Sequence, residues 1–127
     1  MNKIFSYKIA LTICAVVFTA ICLNMHINTE GVAGREFPNA SGDAYNIYRI
    51  IGSLLFAIAS ITFFAGRVED TKSQQLVLNG CILGFAVMFI TLGTMTVTQV
   101  ANITVGTTVF AVLTALCLYT RVKTKSD

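Results

Sequence analysis

The chain has 127 residues, of which 55% are hydrophobic and 12% charged, with a mean hydropathy of +0.74. Roughly half the charge density of a water-soluble domain leaves too little polar surface to solvate a globule, and the length fits one compact unit without a second domain. The net charge of +3 includes no Lys/Arg block interleaved with aromatics, so the partner this composition points to is the lipid bilayer and not nucleic acid.

The first apolar run extends from Ile9 to Met25, within a span over residues 6–25, and follows Lys3 and Lys8. A basic start before an apolar core also opens a secretory signal. Leu23, Asn24, Met25 and His26, however, offer no small-residue cleavage site, and neither Cys14 nor Cys22 follows a small residue as a lipoprotein cysteine does. The run therefore reads as an uncleaved helix. Residues 26–43 carry Gly31, Gly34, Pro38, Asn39, Ser41 and Gly42, a breaker-rich set that reads as an extracytoplasmic loop, made net acidic by Glu30, Glu36 and Asp43 against Arg35. The second span covers 44–66 with Arg49 as its one charge. At about 1.5 Å per residue it reaches about 34 Å, enough to cross a hydrocarbon core of about 30 Å. A short polar connection follows, with Arg67, Glu69, Asp70 and Lys72. The third span covers 76–97 without a charge, a turn takes Thr98 to Asn102, and the fourth span covers 103–120 before a tail holding Arg121, Lys123 and Lys125.

Backbone polar groups in lipid must be satisfied within the segment, so continuous apolar runs of this length are helices, whereas barrel strands would alternate over about ten residues. The expected fold is all-α: one polytopic membrane domain over 1–127, a four-helix bundle of antiparallel neighbours. Seven of the nine Lys and Arg residues lie in the N-terminal segment, the middle connection and the tail, against Arg35 and Arg49 on the other side. The excess of Lys and Arg in cytoplasmic segments then orients the bundle with both termini inside and 26–43 outside, in a cell (inner) membrane.

Little in the spans carries chemistry. Cys14, Cys22, Cys81 and Cys117 sit in apolar runs without a C-x-x-C pair, and read as four small buried hydrophobes. His26 supplies no metal spacing and reads as a solvated loop residue. The sequence calls for no cofactor and no metal. Arg49 is the most informative residue, because a charge inside a span is a functional hypothesis by default. It also lies close enough to the interface to lift its guanidinium to the headgroups beside Tyr45 and Tyr48. Tyr45, Asn46, Thr94, Gln99 and Thr107 share its depth, and with Arg49 they define a candidate outward-facing pocket for a small anionic or polar ligand, open to Glu30, Glu36 and Asp43. Against this stands the habit of Thr hydroxyls of bonding back to their own helix. Gly80 and Gly84 form a G-x-x-x-G stretch in the third span, and Gly52 leads a small-residue stripe in the second. Both readings of that pattern, packing of these two helices together or a dimer face, rest on close backbone approach.

The stretch Asn46-Ile47-Tyr48-Arg49-Ile50-Ile51-Gly52, with Gly80 and Gly84 further on, resembles small bacterial four-helix inner-membrane proteins that belong to a domain-of-unknown-function family. The resemblance covers about 43–119 and implies the fold without an activity. Small multidrug exporters carry a membrane-embedded Glu in the first helix, and this helix has no acidic residue. Small fluoride channels carry a Gly-rich, Arg-containing first helix that is missing here, and quinone-linked disulfide oxidases need cysteine pairs. With no nucleophile–base pair, metal set or coupling carboxylate, the sequence points to a non-enzymatic accessory or interaction partner of a larger membrane assembly, either a homo-oligomer or part of a complex. The alternative is a small oligomeric transporter or channel with its polar site around Arg49.

Overall fold

A computed structural model describes residues 6–98 and 101–125. The described residues form five helices and no strand: α1 (Tyr7–Ile27), α2 (Thr29–Glu36), α3 (Gly42–Ala65), α4 (Thr71–Val97) and α5 (Thr104–Lys125). α1, α3, α4 and α5 are each long and apolar enough to cross a membrane. The protein is an all-α, multi-pass membrane bundle.

Three boundaries differ from the sequence expectation, one of them the end of α5, which continues through the expected tail to Lys125. Residues 26–43 are not a plain loop, because α2 fills their centre. Gly31 and Gly34 argue against a helix by propensity, at about 1 kcal/mol each relative to Ala, and packing overrides them. Val32 and Ala33 are buried against Tyr48 of α3. α4 begins at Thr71, not at Leu76, because Asp70 caps it. Its carboxylate accepts from the backbone N–H groups of Lys72 at 3.2 Å and Ser73 at 3.0 Å, and from the Ser73 hydroxyl at 2.6 Å. These are the orphan donors that every helix start exposes.

The bundle is two tight pairs. α1 packs along α3, and α4 along α5, while the pairs meet through α1 against α4 and α5. Phe18, Phe85 and Phe110 join the two pairs at the centre, with ring centroids 5.2–5.9 Å apart. Although the chain runs directly from α3 into α4, these two helices barely touch.

The glycines record where backbones close up. A Cβ on Gly52 would lie 3.0 Å from the His26 ring and 3.1 Å from the Cβ of Met25, and one on Gly106 would lie 3.3 Å from Leu92. Close approach therefore joins α3 to α1 and α5 to α4. The expected packing of the second and third spans through Gly52, Gly80 and Gly84 is not what forms. Gly52 faces α1, and around Gly80 and Gly84 no atom lies within 4 Å of an added Cβ.

The ends carry different chemistry. A Cβ on Gly66 would sit 3.3 Å from the Lys8 carbonyl, so the start of α1 meets the end of α3. Arg121 donates to Asn79 Oδ1 at 3.1 Å across α5 and α4. Lys8, Arg67, Lys72 and Arg121 thus gather at one end, and α2 covers the other. The backbone N–H of Asn102 donates to the Glu36 carbonyl at 3.1 Å and ties the α4–α5 connection to α2.

Candidate functional site

The residues expected to line a pocket are dispersed. Arg49 is exposed on α3, and among the described residues its guanidinium donates to Asn46 Oδ1, at 3.4 Å. Tyr45 is half-buried against the α2–α3 contact. Thr94 is exposed on α4 and donates to the Ile90 carbonyl at 2.8 Å, and Thr107 on α5 donates to the Ile103 carbonyl at 2.9 Å. The hydroxyls of Thr91, Thr96, Thr98 and Thr108 are likewise spent on carbonyls of their own helices. Among the described residues the backbones of α5 and α3 do not come close, and Thr107 is not brought to Arg49. Gln99 lies outside the described residues. The polar groups share a depth without sharing a face.

The structure assembles two other polar clusters at the α2 end. Tyr48 O–H donates to Glu36 Oε2 in a buried contact, and Arg35 pairs with the other carboxylate oxygen at 3.6 Å. Glu36 is 7% exposed and Tyr48 6%, while Phe37 stacks edge-on against the Tyr48 ring with centroids 6.2 Å apart. Glu36 therefore turns inward to α3 and serves Tyr48, not Arg49. A buried carboxylate is tolerable only when it is hydrogen-bonded, and the phenol of Tyr48 meets that need. The sequence signal was the Tyr45/Tyr48 spacing, which reads equally well as an interfacial anchor.

His26 also departs from the sequence expectation. It closes the last turn of α1 and is not a loop residue. Its Nδ1 lies 2.9 Å from the Cys22 carbonyl and 3.6 Å from Cys22 Sγ, while Nε2 lies 3.3 Å from Ser53 Oγ on α3. Since a carbonyl only accepts, Nδ1 is the donor in this contact. The Ser53 hydroxyl also faces the Arg49 carbonyl at 3.0 Å. The absence of a side chain at Gly52 is what lets the imidazole reach α3. Among the described residues no group of three or more His, Cys, Asp or Glu is placed to hold a metal ion.

The concave surfaces are apolar and open sideways. One, of about 640 Å³, is the groove between α3 and α4, lined by Ile51, Leu54, Ile58, Gly80, Gly84 and Phe85. A second of about 560 Å³ lies along α1 and α3 by Phe56 and Phe64, and a third of about 390 Å³ along α1 and α5. Grooves of this composition take hydrocarbon or another helix, not a hydrated ion. No family model, curated protein or solved structure matches the chain.

Proposed function

We propose that the protein is a small, non-enzymatic accessory subunit of a larger membrane assembly, seated in a bacterial inner membrane with its basic end in the cytoplasm, and docked through the α3–α4 face. The supporting observation is the groove of about 640 Å³ with Gly80 and Gly84 open on its floor. Two glycines in a helix interior give up about 1 kcal/mol each relative to Ala, and within this chain no packing repays it. Helices in lipid associate by close backbone contact over small residues, since burial from lipid supplies no hydrophobic drive. A transmembrane helix from another chain lying in the groove is the contact those glycines fit.

The transporter reading draws on the exposed Arg49–Asn46 pair at 3.4 Å. It needs several copies around a shared path, since the grooves of one chain are apolar.

Gly80→Ile and Gly84→Ile separate the readings. Each adds a side chain into open space, so the isolated protein keeps its thermal stability in detergent. Co-purification of the assembly partner from mild detergent falls at least severalfold. If the partner set is unchanged in both variants, docking through this face is wrong. If Arg49→Ala instead removes a ligand-dependent thermal shift, the transporter reading gains.

A further inference from the structure

The sequence treats its cysteines as four separate hydrophobes, and the fold brings two of them together. Cys14 Sγ of α1 and Cys117 Sγ of α5 lie 3.8 Å apart, each 0% exposed. Both belong to the central core cluster, at the seam between the α1–α3 pair and the α4–α5 pair. They stand about 10 Å in from the basic ends of their helices at about 1.5 Å per residue, within the hydrocarbon layer.

We propose that Cys14 and Cys117 form a redox-active dithiol, oxidised to an intrachain disulfide by a lipid-soluble quinone. A disulfide has its sulfurs about 2.05 Å apart, so closure asks the two to approach by about 1.8 Å. At this depth any opening of the α1–α5 seam faces hydrocarbon and not water, so the electron acceptor must dissolve in the bilayer. The stoichiometry also favours that class. Two S–H bonds break, one S–S bond forms, and the two electrons and both protons pass to the quinone oxygens to give the quinol. No charge is left in the apolar interior, where a lasting thiolate is unfavourable.

The nearest concavity is the cleft of about 390 Å³ along α1 and α5, lined by Val17, Val109 and Leu113. Neither thiol opens into it, so oxidation requires α1 and α5 to part by one helical turn at the inner end of the cleft. Val17 lies one helical turn from Cys14 and Leu113 one turn from Cys117, on the outward side of the pair. Its volume is within the range of small-molecule sites, about 300–1,000 Å³. It is separate from the α3–α4 groove, so this proposal does not depend on the docking reading. The disulfide would covalently link two halves that otherwise meet through apolar contacts.

The test uses the wild-type protein in phosphatidylcholine vesicles containing a fully substituted short-chain benzoquinone, which has no free ring carbon for thiol addition. After exposure the protein is denatured in maleimide, and its mass and peptides are read. Two of the four free cysteines should escape alkylation, with a peptide linking Cys14 to Cys117, while vesicles without quinone give four alkylated thiols. Glutathione disulfide in the external buffer should leave all four free. Cys14→Ala and Cys117→Ala should each leave three alkylated thiols and no crosslink, and Cys81→Ala should keep the link. Four alkylated thiols after quinone treatment would overturn the proposal. So would a link through Cys22 or between chains, or equal oxidation by glutathione disulfide.

Discussion

Tyr48 and Glu36 show what one hydroxyl does in this bundle. Tyr48→Phe keeps the ring against Phe37 but leaves the buried carboxylate with Arg35 as its remaining charged partner. Losing the donor to a buried acceptor costs about 1–3 kcal/mol, so thermal unfolding in detergent should show a lowered midpoint, and a midpoint equal to wild type would mean that α2 is not held this way. Asp70 acts at the opposite end. The Ser73 hydroxyl first, then the backbone N–H groups of Ser73 and Lys72, hold its carboxyl below the ordinary carboxylate range. A carboxyl depressed in the folded state stabilises above its unfolded value of about 3.9 and loses that contribution as pH falls through the folded value. The acid-side decline in thermal midpoint below about pH 4 should therefore be shallower in Asp70→Ala than in wild type, which also starts from a higher midpoint at neutral pH. At this scale the sequence was least legible. Arg49 drew attention because a charge in a span is conspicuous, whereas Glu36 looked like one acid among several in a loop. Burial of Glu36 depends on α2 folding back onto α3, which no local pattern announces. The Cys14–Cys117 approach spans nearly the whole chain and leaves no spacing to read.

The four long helices were legible because length and apolarity alone specify a span, whatever the propensity of the residues within it. Thr and Val residues late in α4 do not break it, since each Thr hydroxyl finds its own helix carbonyl. The short helix α2 is not legible for the converse reason: its glycines read as breakers, and only the burial of Val32 and Ala33 decides against them. Helix pairing is equally hidden from the sequence. A small-residue stripe states that a backbone approaches closely but not which one, and here α1 takes the Gly52 surface that seemed meant for α4. Gly52→Val should therefore be destabilising by about 1–3 kcal/mol, because the His26 ring and the Met25 Cβ already occupy that space. Gly80→Ala and Gly84→Ala should be neutral or stabilising by up to about 1 kcal/mol in the isolated protein. Thermal midpoints of the three variants in one detergent test the contrast, and equal losses at all three positions would contradict the packing described.

At the scale of the whole molecule, charge and polarity divide the bundle along its axis. Lys8, Arg67, Lys72 and Arg121 mark one end, and α2 with its Glu36–Tyr48 latch covers the other. Across the axis the division is between the filled seam, where Phe18, Phe85 and Phe110 meet, and the open α3–α4 side. The axial division was readable by counting Lys and Arg along the sequence. The lateral one was not, because an unfilled groove is a property of how two helix pairs come together. The open side is where the proposed role is decided. A photoreactive amino acid placed at Gly84 tests it most directly, with Leu118 on the exposed side of α5 as the comparison site in the same native membranes. Docking predicts discrete protein adducts from position 84 and lipid adducts alone from position 118. Lipid adducts alone from both positions would contradict it.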